Sequence, residues 1–529
     1  MGGSEKLEER LAFRPTSETM FCDHWHNVLQ TYRQLPMLYN QYKITIPHVF
    51  VYNIELRGKD YIQVKQRDSS IHATEREGSG AGGVSKDFTV SAQETTFISR
   101  NLPAIRQDES YCWCPEDYKV QVSFDLQGTQ FTPNEYKPYS QKWEDVDKQL
   151  LKPENTQFGE HLSLTNPFRP ETKQAYNSEM NFEEKIICAF QVLKKKMAWN
   201  GRYQLYSKEL EKVIKKGSGS NADLNFILIS ILKDFGLEAY PVVMSRRSSG
   251  MLPYNFPSLQ KLNTFFVAIH DINKQKYVFL DSSMDVPAFN ILPLELSVNK
   301  ARILSRKEKE ENKWVNVMTL SNNKSFMKID ARIEGDQVKG HRSTVLYGQE
   351  AIEYQANENH KQDNLVSNPE NKVSQKEKLT VTNLKVKKQE NDWALIEEEF
   401  DFVLQADRTD DHLYINPMLF PQLKSNPFIQ TERVLPIEFP YPYKFTMLST
   451  LTLPEGYEVE ELPQSQSIRS EGDGLQCKYM IQQQGNTILL NYVFHLKGYI
   501  FLSEQYKQLQ ELWAKVIEKN NALIVLKKI

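Results

Sequence analysis

The sequence predicts a multidomain α+β protein. Its 529 residues correspond to about three or four domains at the usual size of roughly 150 residues each. Two helical patterns followed directly by antiparallel strand patterns lie between Asn181 and Ser283, the order of an α+β core. On both sides of that core the texture is short β-rich runs broken by polar turns. Charged residues at 25% and apolar residues at 40% are ordinary globular proportions. Lys+Arg 65 against Asp+Glu 68 gives a net charge of −3, without the electrostatic footprint of a chain devoted to nucleic acid or an anionic membrane.

The elements follow in order. In EKLEERLAFRPTSETMFCDHWHNVLQTYRQLPMLYNQ, residues 5–41, Met20, Phe21, Trp25, Val28, Leu29 and Tyr32 recur at helical steps. With Thr16 or Ser17 as N-cap they predict an amphipathic helix ending before Pro36. From Tyr42, runs such as YKITIPHVFVYNIEL, KDFTVSAQETTFI and YKVQVSFDL predict an antiparallel β domain reaching about residue 165. NFEEKIICAFQVLKKKMAWNGRY sets Phe182, Ile186, Ile187, Phe190, Val192, Leu193 and Met197 opposite lysines, an amphipathic helix. After the small-residue turn Gly217-Ser218-Gly219-Ser220, residues 221–235 are apolar nearly all round and predict a buried central helix. LEAYPVVMS, NTFFVAIHD and KYVFLDSS then read as strands, with a turn at Asn273-Lys274. Residues 300–395 read as β, interrupted by ANENHKQDNLVSNPENKVSQKEK, a loop or linker by composition. In the last segment LIEEEFDFVLQ, KFTMLSTLTL and TILLNYVFHLKG are strands, followed by a helix over residues 503–520 and the apolar tail LIVL.

Most short motifs lack the context their chemistry requires. Gly78-Ser79-Gly80-Ala81-Gly82-Gly83 matches GxGxxG literally, but polar residues precede it and a strand follows, so it reads as a hairpin loop and no nucleotide cofactor is expected. Cys22 and His26 share a helical face, yet two soft ligands without a third do not make a zinc site. Cys112 and Cys114 in YCWCPED read as packed thiols, and Cys188 as a core thiol of its helix. Five cysteines, an odd set without CxxC spacing, predict neither a disulfide framework nor structural zinc.

The segments NFEEKIICAFQVLKKKMAWNGRY, GSGSNADLNFILISILKDFGLEAYPVVMSRR, LNTFFVAI and KYVFLDSS, in that order, closely resemble the transglutaminase-like, papain-like fold. More narrowly, residues 42–529 resemble modular bacterial proteins that place this fold between β domains of unknown function, and NLPAIRQDESY, KWEDVDKQLL, YINPMLF and LPEGYEVEELP continue the likeness. The resemblance implies a Cys-His-Asp triad, with the cysteine at the start of the buried helix and the base and its orienting aspartate on successive strands. Laid on this chain, the cysteine position is Asn221, the histidine position Thr264, and only the aspartate is kept, as Asp281. An amide cannot become a thiolate and a threonine hydroxyl is no base near neutral pH. Ser218 or Ser220 as substitute nucleophile lacks a placed base, since His270 lies six residues beyond Thr264. Asn221 also suits a helix N-cap.

LEERLAFRPTSETMFCDHWHNVLQTYRQLPMLYNQ resembles class II prolyl-tRNA synthetase around its proline-binding loop. The resemblance implies that Thr16 and Glu18 stand where that family contacts the prolyl ammonium group. The ATP-gripping Arg-x-Glu element of that family is replaced by YKITIPHV, and its later arginine motif and anticodon domain have no counterpart. Adenylation then has no electrostatic support.

Together these readings give a truncated N-terminal β-sandwich, a central transglutaminase-like papain-fold core, and C-terminal β domains with a terminal helix. The expected boundaries are 1–41 synthetase-like, 42–168 partial sandwich, 169–300 transglutaminase-like, 301–395 β with a polar loop, and 396–529 C-terminal β. The expected function is a non-catalytic scaffold or binding protein for a protein or peptide ligand. Proline–tRNA ligase and a cysteine-independent amidase or protease are the alternatives. No cofactor, metal, nucleic acid or membrane span is expected. The start of the chain carries no export signal, so a cytoplasmic address is expected, although the resembled family is typically exported. The junction near Gln41-Tyr42 suggests a gene fusion, a misassembly or a deliberate joining.

Overall fold

Strand Thr264–Asp271 explains why the middle of the chain folds as it does, because all but one of its side chains are buried. Alternate residues of a strand point to opposite faces. Phe265, Val267 and Ile269 therefore join one apolar core while Phe266 and Ala268 join another. The strand sits inside a five-stranded antiparallel sheet ordered Lys276–Leu280, Thr264–Asp271, Glu238–Met244, Ala301–Ile303 and Trp314–Val315. One face is covered by the central helix Asn221–Asp234, which is buried from Asn221 to Leu232. Helix Phe182–Lys196 packs on that helix in turn, its start fixed by a capping box in which Asn181 Oδ1 accepts from Glu184 N at 3.0 Å and Glu184 Oε2 accepts from Asn181 N at 2.8 Å.

The computed structural model describes residues 24–28, 35–77, 84–106, 109–132, 135–138, 142–152, 157–252, 257, 259–305, 309, 313–363, 379–389 and 392–529. They divide into two compact units, one of residues up to 142 without 109–114, the other of 109–114 and 143–529.

In the first unit, a four-stranded sheet of His24–Val28, Gln121–Thr132, Phe50–Arg57 and Glu135–Pro138 and a three-stranded sheet of Met37–Pro47, Val84–Leu102 and Ile62–Glu77 share a small core. Phe97 of the second sheet meets Phe124 of the first edge-on, centroids 6.1 Å apart. The expected N-terminal helix is overturned where it can be tested. His24–Val28 is a strand, paired antiparallel with Gln121–Asp125. A sheet edge that supplies backbone partners outweighs a helical spacing of side chains, which is only a weak preference.

The second unit contains the α+β core and a larger β body. The β texture expected up to residue 165 instead gives way to helices Trp143–Leu151 and Gln157–Leu162. Their apolar face is Trp143, Val146, Leu150 and Phe158, packed into the same core as the central helix. A buried ion cluster ties the first helix to the sheet. Asp147 accepts two hydrogen bonds from Arg302, both at 2.7 Å, and one from Lys313 at 2.9 Å, and the Arg302 guanidinium lies 4.9 Å from the Trp314 ring.

The boundary expected at 395/396 falls inside strand Asp392–Gln405. One eight-stranded sheet crosses it, ordered Leu379–Gln389, Asp392–Gln405, Gln337–Tyr347, Lys324–Glu334, Tyr443–Thr452, Thr487–Leu496, Leu475–Gln484 and Gln466–Arg469. Its halves join through a parallel pairing of Lys324–Glu334 with Tyr443–Thr452, Lys324 opposite Lys444. Such a distant pairing leaves no mark in local periodicity. The expected linker also begins as structure, because helix Gln349–Asp363 covers its first residues, while 364–378 lie outside the described residues. Helix Tyr506–Asn520 closes the sheet's buried face, and the LIVL tail becomes strand Ile524–Lys528 between His412–Ile415 and Tyr457–Glu461. Among the described residues no helix is long and apolar enough to cross a membrane.

Candidate functional site

The triad-equivalent positions converge because of where each stands on its element. Asn221 is the first residue of the central helix, Thr264 the first of its strand, and Asp281 follows strand Lys276–Leu280. The fold therefore brings Asn221 and Thr264 into contact, Asn221 Nδ2 donating to Thr264 Oγ1 at 2.8 Å. The same amide donates to the Phe265 carbonyl at 3.0 Å, and its oxygen accepts from Gln204 N at 2.9 Å. Residues 200–204 lie over it, with Arg202 O accepting from Asn221 N at 3.0 Å. Asn221 and Thr264 are both 0% exposed and Asp281 is 1% exposed.

Asp281 does not contact Thr264 through any hydrogen bond between them; its partner on the helix is Asn225. Asn225 Nδ2 donates to Asp281 Oδ2 at 2.9 Å and to the Phe265 carbonyl at 2.8 Å, and its oxygen accepts from Ser282 N at 3.0 Å and Ser282 Oγ at 2.6 Å. Both N–H donors and both oxygen lone pairs of that amide are thereby engaged. The other oxygen of Asp281 accepts from Ser283 N at 2.9 Å and from the Ser283 hydroxyl. Burial pushes the Asp281 carboxyl above its ordinary range, against the hydrogen bonds from Ser283 and Asn225 that favour the charged form. Sequence reasoning missed Asn225, Ser282 and Ser283. The signal for Asn225 was present, since residues four apart share a helix face and Asn221 had already been placed there.

Ser220, not Asn221, is the N-cap. Its Oγ accepts from Asp223 N at 3.3 Å and donates to Asp223 Oδ2 at 2.7 Å, while Asp223 Oδ2 also accepts from Ser220 N at 2.8 Å. This corrects the N-cap expected at Asn221, which is already helical. The capping box also occupies the one serine hydroxyl at the helix start, and Ser220 is 1% exposed. His270 stands at the far end of its strand, opposite Glu238 and Tyr277, with Nδ1 3.6 Å from Glu238 Oε2. Three of the described thiols, Cys112, Cys188 and Cys477, are poor nucleophiles as placed. Burial pushes Cys112 up to about 12 and Cys477 up to about 11, and also raises Cys188, whose Sγ lies 3.5 Å from the Ala175 carbonyl. Thr16, Glu18 and Cys22 lie outside the described residues. Among the described residues no three His, Cys, Asp or Glu side chains group as metal ligands.

Two outcomes follow. Asn225→Ala strips the Asp281, Phe265 and Ser282 groups of a shared partner and is expected to cost roughly 2–4 kcal/mol in urea denaturation of the full chain; a loss under about 0.5 kcal/mol would contradict the clamp. Because the folded carboxyl of Asp281 sits above the unfolded value near about 3.9, the stability it lends is complete below that value and is lost as pH rises through the folded one. The stability of Asp281→Asn relative to the unchanged chain is therefore expected to improve as pH rises from about 4 to about 8, and a difference independent of pH would contradict it.

Three kinds of similar protein match this chain. Residues 411–526 match DUF3858, described as a domain of unknown function with a solved structure. A solved structure of a candidate protease from Parabacteroides distasonis aligns with a TM-score of 0.51 at 12% identity, covering 95% of this chain and 74% of that one. At that identity the likeness speaks for the fold alone. Curated proline–tRNA ligases match over 76 residues, one from Ruminiclostridium cellulolyticum at 45% identity and one from Bacillus cereus at 42%. That length exceeds the 41 residues of the N-terminal segment, yet it is 14% of this chain and the chain spans 16% of the length of each ligase. The protein is thus similar over a short stretch to prolyl-tRNA synthetases, in fold to a protease-like solved structure, and over residues 411–526 to DUF3858.

Proposed function

We propose that the chain is a non-catalytic transglutaminase-like scaffold or binding protein for a protein or peptide ligand, joined to a vestigial fragment of prolyl-tRNA synthetase. The single observation that carries this reading is the amide of Asn221. It stands at the nucleophile position, bonded at once to Thr264, Phe265 and Gln204, with no surface exposed. A cysteine there would need a base within hydrogen-bond reach and a path for substrate. Thr264 supplies no base, and the residues above the helix start close the path.

The protease-like solved neighbour favours a second reading, an amidase or protease without a cysteine nucleophile. Its best candidate would be Ser220, whose hydroxyl is spent on the helix cap. A ligase reading rests on a stretch covering 16% of the matched enzymes.

Transamidation, peptidase and proline-dependent ATP–pyrophosphate exchange assays on the full chain are all expected to be blank. Turnover in the first two that Asn221→Ala abolishes, or any proline-dependent exchange, would overturn the proposal.

A further inference from the structure

The large sheet buries one face and leaves the other open. On the open face of strand Lys324–Glu334 stand Phe326 and Lys328, and the register continues their rows across the sheet. Phe326 lies in line with Thr446, Val493 and Lys478, and Lys328 in line with Leu448, Asn491 and Met480. Phe326 and Leu448 are each 37% exposed and Met480 is 51% exposed. Apolar side chains grouped on the solvent face of a sheet gain nothing from folding there, and such groups mark contact surfaces.

Charge on this face is divided. Strands Tyr443–Thr452, Thr487–Leu496 and Leu475–Gln484 contain no aspartate or glutamate, yet carry Lys444, His495 and Lys478 on the open side. Lys324 stands opposite Lys444, and Lys444 opposite His495. Like charges side by side on a sheet oppose one another. Burial and the neighbouring Lys497 and Lys444 hold the His495 imidazole below its ordinary range. Lys324 Nζ lies 4.5 Å from the centre of the Tyr347 ring, and among the described residues Lys324, Lys444, Lys478 and Lys497 form no ion pair. At the other end of the same face the charges are matched: Lys385 lies 2.9 Å from Glu399, Lys387 3.4 Å from Glu397, and His341 Nδ1 2.9 Å from Asp401.

We propose that the open face of strands Lys324–Glu334, Tyr443–Thr452, Thr487–Leu496 and Leu475–Gln484 docks an acidic protein segment that carries apolar side chains. The inference deepens the binding role proposed above and rests on it. Carboxylates of the partner answer Lys324, Lys444 and Lys478, which the fold leaves unneutralised, while its apolar side chains cover Phe326, Leu448 and Met480. Charge complementarity of this kind selects the partner and speeds encounter, and the covered apolar residues slow release. Thr446 and Asn491 stand between the apolar residues in the register. That spacing suits side chains presented singly by a protein segment rather than the continuous hydrocarbon of a bilayer, and a nucleic-acid backbone would leave the apolar residues uncovered.

Fluorescence anisotropy of the full chain with a fluorescein-labelled peptide repeating Glu-Leu tests this, beside Lys-Leu and Glu-Ser repeats, phosphatidylserine vesicles and duplex DNA. The Glu-Leu peptide is expected to bind at least about tenfold more tightly than either other repeat, and to weaken as added salt screens the lysines. Lys444→Glu combined with Lys478→Glu is expected to weaken it at least about tenfold and Leu448→Ser about threefold or more, with urea midpoints showing that both variants fold. Lys385→Ala, at the matched end, is expected to stay within about twofold. A Glu-Leu affinity that the lysine and leucine variants leave intact, or tighter binding of the vesicles or the DNA, would overturn the docking face. The two readings fail separately: transamidation or peptidase turnover sinks the non-catalytic role without moving these affinities, whereas affinities blind to Lys444 and Lys478 sink the docking face without producing turnover.

Discussion

The α+β core depends on two asparagines one turn apart on a single helix. Asn221 and Asn225 both donate to the carbonyl of Phe265, and from that shared point one reaches Thr264 and the other Asp281. The helix around them is mostly apolar and buried, so apolar packing alone would leave its rotation and height on the sheet poorly defined. A satisfied polar pair inside an apolar interface specifies one register, because any slip leaves an amide and a carboxyl buried without partners. In an active member of the resembled fold, the same three positions would have to be reactive and reachable. Here they are used to hold a helix against a sheet.

What the sequence made legible was whatever depends on neighbours close in the chain. Both helices of the core, all three of its main strands and the terminal helix follow from periodicity and caps, and the meeting of Asn221 with Thr264 is what the family resemblance implies. What escaped depends on distant partners. The strand at His24–Val28 exists because Gln121–Thr132 offers it a sheet edge, and the large sheet is continuous because Lys324–Glu334 finds Tyr443–Thr452. The helices at Trp143–Leu151 and Gln157–Leu162 were readable in principle from the spacing of Trp143, Val146 and Leu150, but short helices carry few turns of pattern. Within the site, Asp281 was found and its role was not, because a triad template pairs the aspartate with a base, while this fold pairs it with an amide.

A stretch of 76 residues is similar to a small share of prolyl-tRNA synthetases, 95% of the chain aligns in fold with a protease-like structure, and residues 411–526 match DUF3858. The C-terminal strands also do more than decorate the core. Residues 109–114 reach them through Glu109 to Arg433 at 3.1 Å and Trp113 N to Glu438 at 2.8 Å, and Arg247 of the core donates to the Phe439 and Pro440 carbonyls.

The central claim is that the helix start is closed to solvent. The thiol labelling rate at position 221 in the variant Asn221→Cys, followed by peptide-resolved mass spectrometry in native buffer and in urea, measures this directly. The account predicts labelling only as the chain unfolds, at least about a hundredfold slower in native buffer, as for a site that opens with the fold. Labelling in native buffer at the unfolded rate would mean an open groove at that position and would contradict the account.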